Sequence, residues 1–240
     1  MTRVSTVIVM CFALITLAGC KQPSAVQTGI DVVPTGVTPA LTWNNVIVWD
    51  EWVRKSPLEV SVFAQNPPSV APTAIFLPLL PQIQIRDPLL VGKSVGKAVW
   101  RTWLQDSPFT ILEFQDCKTG YNPAYAMKLA RERGAMFAVT GAITDYFDGG
   151  SNTGARLGIQ IDIYDVGTSS RVWSMHQYAE MKKDRTRDYI FFKAEMRLPS
   201  DPMWVVATAI ATDMKQPVAA WAQQWQQLHT QDSAEENAAF

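Results

Sequence analysis

The sequence predicts an α/β fold of the α+β kind, in which a small mixed sheet is flanked by about three helices. Three observations support this prediction. Residues 122–147 combine a helix that has a defined start and end with a strand that follows it directly. Asp-Pro pairs at Asp87 and Asp201 have the form of two further helix starts. Residues 156–164 alternate apolar and polar side chains, which is typical of a half-buried strand.

The helix in the first of these stretches has a start and a stop signal. Asn122 can cap it through its side-chain oxygen, and Pro123 suits the first helical position because an N–H there would have no partner. Gly134 can end it with a positive φ. At helical spacing, the residues predicted to be buried are Ala126, Leu129 and Ala130.

Several strands are predicted around this helix. Residues 136–146 are rich in apolar and β-branched side chains, and Gly141 in their middle indicates close packing or a bulge. Residues 74–80 and 109–114 are predicted to form two more strands. Residues 171–180 are predicted to return antiparallel to residues 156–164 across a turn.

Two further helices follow from the Asp-Pro pairs. The helix after Asp87 is predicted to bury one apolar face, which consists of Leu90, Val91, Val95, Ala98, Val99 and Trp103. The last helix is predicted to run from Pro202 to about Leu228, with Pro217 kinking or interrupting it because proline lacks a backbone donor.

The amino terminus predicts export. Arg3 precedes an apolar run over residues 7–18 that is too short for an ordinary membrane span. The run ends in Leu17-Ala18-Gly19-Cys20, which resembles the lipobox of bacterial lipoproteins, where the chain is cut before the cysteine and its sulfur is diacylated. In enteric-type sorting, a residue other than Asp after Cys20 favours the outer membrane, and Lys21 is such a residue. An uncleaved signal anchor and an ordinary signal with a chance cysteine are the alternatives.

The chain is therefore predicted to divide into five parts: residues 1–19 as signal peptide, 20–42 as lipidated cysteine and flexible linker, 43–72 as a Trp-rich arm, 73–228 as the α/β domain, and 229–240 as a disordered tail. Cys117 then has no partner within the chain, because Cys11 leaves with the signal and Cys20 takes lipid. It is either a small buried residue or a reactive thiol.

Composition and charge limit the function. A chain of 240 residues, 48% of them hydrophobic, can bury one sizeable core. The net charge of -1 excludes binding to nucleic acid or anionic lipid through general electrostatic attraction. Catalysis by a metal or a nucleophile is not predicted, since there are two histidines and His176, on a predicted strand, is expected to be structural. No cofactor or metal is expected, although Asp145, Asp162 and Asp165 could gather at strand ends around a cation.

Two segments are candidate partner-binding surfaces. In the arm, Trp49 and Trp52 could share a helix face with Val53, while residues 58–64 alternate like a strand. Near residue 185 a short basic run could meet an acidic partner or lipid headgroups, and it consists of Lys182, Lys183, Arg185 and Arg187. Burial of the tryptophans and a solvated loop are the alternatives left open.

The order and phrasing of the elements resemble a known group of domains. Residues 126–146 have the form A-x-x-L-A-R-E-R-G-A-x-x-x-V-T-G-x-I-T-D-Y, and residues 156–168 the form R-L-x-I-x-I-D-I-Y-D-V-x-T. Over roughly residues 73–228 the chain looks like the periplasmic α/β domains typified by the TolB amino-terminal domain, the curli secretion lipoprotein CsgG and the penicillin-binding-protein activator lipoproteins. The resemblance implies the anticodon-binding-like topology of the TolB amino-terminal domain.

Members of this group are mostly non-enzymatic, so the resemblance implies a lipid-anchored periplasmic assembly or regulatory factor that binds an envelope protein. One alternative is a subunit of an oligomeric secretion complex related to curli secretion, which would be a homo-oligomer. However, residues 147–155 are too short for the long hairpin insertions of CsgG-like channels, and residues 181–199 are basic at one end. The other alternative is an enzyme acting on envelope polysaccharide with paired acids such as Asp145 and Asp162.

Overall fold

The computed structural model describes residues 40–41, 46–50, 52–116, 122–183, 187–188 and 193–238. Helices and strands are both abundant in it, so the predicted α+β class is confirmed. In chain order the elements are β1 (Ala40–Leu41), β2 (Val46–Asp50), β3 (Arg54–Lys55), β4 (Glu59–Val62), β5 (Thr73–Phe76), β6 (Leu80–Pro81), α1 (Pro88–Leu104), β7 (Ile111–Phe114), α2 (Pro123–Glu132), β8 (Phe137–Asp148), α3 (Gly150–Thr153), β9 (Gly154–Asp165), β10 (Ser170–Lys182), β11 (Arg187–Asp188), β12 (Lys193–Arg197) and α4 (Pro202–Ala238).

The main sheet has eight strands in the described part of the chain. Its order is β3-β10-β9-β8-β5-β7, with β4 also on β10 and β6 also on β8. β5 lies parallel to β7 and β8, and β6 is parallel to β8. β8, β9 and β10 are antiparallel neighbours paired along nearly their whole lengths, as the predicted hairpin requires. The predicted mixed sheet is therefore confirmed.

A second sheet joins segments that are far apart in the sequence. Its order is β1-β2-β12-β11, and β2 runs parallel to β12 with Trp49 opposite Met196. The prediction that Trp49, Trp52 and Val53 share a helix face is wrong, because residues 46–50 form β2 and Trp52 and Val53 are non-helical residues just before β3. The β-branched residues of β2 favour an extended backbone, and pairing with β12 gives that backbone a hydrogen-bonding partner.

Helices cover both faces of the main sheet. α1 and α4 pack on one face, where the core cluster includes the apolar residues of β9, namely Leu157, Ile159, Ile161 and Ile163. α2 packs on the other face through Ala126 and Ala130, against Ile75, Leu77 and Ala138. No helix in the described ranges combines the length and apolar character needed to cross a membrane.

Two of the three predicted helix starts have the expected cap. The Asn122 side chain accepts a hydrogen bond of 2.8 Å from the Tyr125 backbone N–H, and Asp201 accepts one of 2.9 Å from that of Trp204. Asp87 differs, because it adopts a left-handed conformation with φ 51° and makes no side-chain capping bond. The predicted cap at Asp87 is therefore wrong.

Helix faces and ends depart from the sequence pattern at two places. Leu90, predicted on the buried face of α1, is 63% exposed in the first turn of the helix. α4 runs without interruption through Pro217 and continues to Ala238, so the predicted interruption and the predicted end near Leu228 are wrong. Met214 and Val218, which flank the proline, are fully buried, and their packing holds the helix together there.

Glycines allow α1 to lie against the chain before it. A Cβ on Gly92 would overlap the carbonyl oxygen of Leu79, and a Cβ on Gly96 would lie 3.2 Å from the Cα of Pro78. The same contact includes a hydrogen bond of 3.1 Å from the Leu79 N–H to the Gly92 carbonyl. Gly141 is also tightly packed, since its Cβ would overlap the carbonyl of Gln160, and this confirms the predicted close packing.

Replacing Gly92 with alanine should destabilise the protein despite the higher helix propensity of alanine. The added methyl group forces α1 away from Leu79, which should cost about 1–3 kcal/mol of unfolding free energy, as overpacking typically does. Ser94→Ala, at an exposed position of the same helix, is the matched control and should leave stability unchanged or slightly higher. Urea unfolding followed by circular dichroism measures both variants, and equal midpoints would contradict the assigned contact.

Candidate functional site

The main sheet has one end at which most of its strands finish. β5, β6, β7 and β8 are parallel and end on this side, and β10, which runs in the same direction, ends there at Lys182. We call it the carboxyl end. In open sheets with parallel strands, ligands and partners commonly bind at this end, because the loops and helix starts that follow the strands gather there.

The structure brings the arm and the basic run together at the carboxyl end. β3 pairs with β10 so that Arg54 lies opposite Glu180 and Lys55 opposite Ala179. Continuing this antiparallel register places Trp52 at the level of Lys182. Trp52 is 66% exposed, and both Lys182 and Lys183 are exposed as well.

The other sequence-predicted candidates belong to the second sheet or its margin. Trp49 lies in β2 opposite Met196, and Arg187 lies in β11 opposite Ala194. Arg185 falls outside the described residues, as do Cys20 and Cys117. The two candidate surfaces are thus adjacent, since β2 leads into Trp52 and the chain after Lys182 leads into β11.

Sequence reasoning missed two exposed aromatic residues at the carboxyl end. Trp204 lies in the first turn of α4 and is 49% exposed, and Phe147 lies near the end of β8 with the Arg156 guanidinium 5.8 Å from its ring centroid. Helix periodicity gave no sign of Trp204, because Trp204 lies off the buried stripe of α4 that begins with Met203. The available signal was its position three residues after the capping Asp201.

A half-buried polar network fixes the arm to the domain. The Lys55 ammonium donates to the Asp213 carboxylate at 2.9 Å, and the Gln177 amide donates to the same carboxylate at 2.8 Å. Gln177 also donates to the backbone carbonyl of Ser56 at 3.0 Å. Three elements distant in sequence, β3, β10 and α4, therefore meet at Asp213.

A second network lies on the face of β10 that carries Tyr178. The Tyr178 hydroxyl donates to the Glu180 carboxylate at 3.1 Å, and the Lys182 ammonium lies 2.9 Å from the same carboxylate. Burial, together with the hydrogen bond to Glu180, raises the pKa of Tyr178 to about 12. Burial pushes the pKa of Glu180 upward, but the hydrogen bonds from Lys182 and Tyr178 outweigh it, so the net shift is downward.

His176 connects three strands of the main sheet. Its Nε2 lies 3.1 Å from the Thr144 hydroxyl, and its Nδ1 lies 3.9 Å from the Glu59 carboxylate. Both ring nitrogens thus face a polar partner, as expected for a structural histidine.

The three acids considered for a cation site lie apart. Asp145 is 2.7 Å from the Arg156 guanidinium, Asp162 accepts a 2.7 Å hydrogen bond from the Ser174 hydroxyl, and Asp165 accepts backbone bonds within its own turn. Asp145 lies opposite Gly158 on β9, four positions before Asp162, so roughly 13 Å separates the two along the strand. Across the described ranges, no group of three His, Cys, Asp or Glu residues could hold a metal ion.

Comparison with known proteins finds similar folds but no family. No family model and no curated protein match the chain. Among solved structures it is similar to the PelC dodecamer from Paraburkholderia phytofirmans, with 17% identity over 70% of this chain and 96% of that chain and a TM-score of 0.43. Similar too are the hypothetical protein CT253 from Chlamydia trachomatis, with 12% identity over 63% and 98% and a TM-score of 0.41, and protein XCC0632 from Xanthomonas campestris, with 10% identity over 75% and 99% and a TM-score of 0.39. At these TM-scores the likenesses carry no argument about function.

Replacing Asp213 with alanine should loosen the arm. The substitution leaves the Lys55 ammonium and the Gln177 amide without their shared acceptor, which should cost about 1–3 kcal/mol of unfolding free energy. Trypsin should then cut after Arg54 or Lys55 faster than in the unchanged protein. Glu132→Ala is the matched control, because Glu132 is also helical and its pair with Lys128 is exposed at 3.8 Å. Equal cleavage rates in the two variants would contradict the role of Asp213.

Tyr178 should titrate separately from an ordinary tyrosine. Because its folded-state pKa of about 12 lies above the usual 10.0, its contribution to stability is fully present below pH 10.0 and is lost as the pH rises through about 12. Absorbance at alkaline pH should show a late phenolate component that Tyr178→Phe removes and Tyr125→Phe, on α2, retains. Burial also raises the pKa of Tyr146 and of Tyr164, so the deciding quantity is the amplitude of the component near pH 12. An unchanged amplitude in Tyr178→Phe would show that the assignment is wrong.

Proposed function

We propose that this chain is a lipid-anchored protein of the bacterial cell envelope that faces the periplasm and acts as an assembly or regulatory factor by binding another envelope protein. The lipobox-like sequence ending at Cys20 supports the anchor. A lipid chain contributes about 0.8 kcal/mol of membrane affinity per buried methylene group, so a lipidated Cys20 holds the protein without a spanning helix.

The observation that carries the binding role is the pairing of β2 with β12. It joins the Trp-rich arm and the segment after the basic run into one sheet, so that two surfaces proposed separately from the sequence become a single surface. Trp49 and Arg187 belong to this sheet, Arg185 precedes it, and Trp52 and Lys182 lie at its junction with the main sheet. Lys183 is at the same junction. We propose the second sheet as the surface that contacts the partner.

The form of the second sheet suits recognition by added strands. Within the described residues, β1 pairs with Ile47 and Val48 of β2, and β11 pairs with Lys193 and Ala194 of β12. Both outer strands are two residues long there, so the described pairing covers part of each longer neighbour. A partner segment that adds as a strand gains main-chain hydrogen bonds, and side chains such as Trp49 supply contact area and selectivity.

Photo-crosslinking in intact cells tests this surface. A benzoylphenylalanine residue at position 49 should form an adduct with a specific envelope protein, because the ring lies in the proposed contact. The matched control places the same residue at position 125, since Tyr125 is exposed on α2, which is not part of the second sheet. An adduct that forms at position 49 and not at position 125 supports the proposal.

Other outcomes of this experiment contradict the proposal. Adducts of the same proteins from both positions would mean that the second sheet is not the selective surface. Adducts of position 49 with a second copy of the chain alone would favour the homo-oligomeric secretion subunit instead.

A further inference from the structure

Five exposed apolar side chains lie at the carboxyl end, while others, such as Phe63 and Ile111, lie elsewhere in the described chain. The five come from separate elements: Trp52 precedes β3, Leu89 and Leu90 lie in the first turn of α1, Phe147 lies near the end of β8, and Trp204 lies in the first turn of α4. Their exposures range from 45% to 66%. Both tryptophans among the strongly exposed apolar residues of the described chain are in this set.

Cations accompany these side chains. Lys183 is exposed beside Lys182, and the Arg156 guanidinium lies over the ring of Phe147. Four nearby acids each have a partner at this end: Asp145 pairs with Arg156, Glu180 pairs with Lys182, Asp148 accepts from the Gly150 N–H at 3.1 Å, and Asp201 caps α4. The end therefore combines Trp, Phe and Leu with Lys and Arg, which is the composition of surfaces that lie in the headgroup region of a bilayer.

The spacing of these apolar side chains suits contact with a flat lipid surface better than binding of a peptide in a groove. The apolar residues lie at the starts of two helices, near the end of one strand and before another, and all these elements begin or end at the carboxyl end. A peptide partner would require either an apolar groove or a strand edge beside these side chains. A lipid surface requires only that separate side chains reach a common level.

The chain itself connects this end to the membrane. The polypeptide that comes from Cys20 enters the main sheet at Trp52, directly after β2. Twenty residues separate Cys20 from Ala40, a chain length that spans at most roughly 70 Å when fully extended. A domain tethered so closely meets the bilayer at a high effective concentration, so weak apolar contacts suffice to orient it.

We infer that the carboxyl end docks on the lipid surface that holds Cys20, with the side chains of Trp52, Phe147 and Trp204 in the headgroup region. This inference rests on the proposed lipid anchor. It assigns Trp52, Phe147 and Trp204 to the membrane and leaves the second sheet for the protein partner.

The test uses the full lipidated protein in vesicles of phosphatidylethanolamine and phosphatidylglycerol that contain a doxyl-labelled phospholipid, which quenches only tryptophans at the bilayer. Part of the tryptophan emission should be quenched. Trp52→Phe combined with Trp204→Phe should remove most of the quenched component, because these side chains are proposed to reach the lipid. Trp100→Phe combined with Trp173→Phe is the matched control, since both positions lie away from the carboxyl end, and it should retain the quenching.

The outcomes separate the two proposals. Protein that floats with the vesicles but shows no quenching would overturn the docking while leaving the lipid anchor in place. Protein that does not float would overturn the anchor itself. Quenching that the control double substitution removes and the Trp52 and Trp204 double substitution retains would also overturn the docking. A separate measurement uses acrylamide quenching without vesicles. If a crosslinked partner protein shields Trp52 and Trp204 from acrylamide, these side chains contact protein and the docking is overturned.

Discussion

The rest of the structure depends on the antiparallel pairing of β8, β9 and β10. These strands have 12 or 13 residues each and pair along nearly their whole lengths, so their backbone groups are satisfied within the sheet. One face of β9 presents four fully buried apolar side chains to α1 and α4. β5 and β6 attach to one side of this unit, and β3 and β4 attach to the other. Every element at the carboxyl end is therefore positioned by the ends of three strands.

The arm is held by two kinds of interaction that differ in strength. β3 contributes two residues of strand pairing, which alone would hold it weakly, and the half-buried Lys55–Asp213 pair adds a charged hydrogen bond to α4. β4 adds three residue pairs with β10, and the His176 ring lies between Glu59 of β4 and Thr144 of β8. The arm is thus part of the domain over residues 54–62, and β2, the strand before them, pairs with β12 instead.

The local signals in the sequence predicted well wherever one segment decides its own structure. The cap at Asn122, the left-handed Gly134, the close packing of Gly141 and the hairpin of β9 and β10 were all found in the expected places. Features that require two distant segments were not predictable, because no spacing rule joins β2 to β12 or Lys55 to Asp213. Two of the wrong predictions have the same origin: Pro217 stays helical because its neighbours are buried, and Trp49 is extended because a remote strand pairs with it.

The parallel pairing of β2 with β12 also has a consequence for the order of folding. β2 is synthesised early, and its partner follows only after the whole main sheet has been made. Contacts between such distant segments form late, since the loop that closes them is long. The second sheet therefore forms only when nearly the whole chain has been made. A chain that is truncated or still emerging has the central strands, but it lacks the surface that requires both β2 and β12.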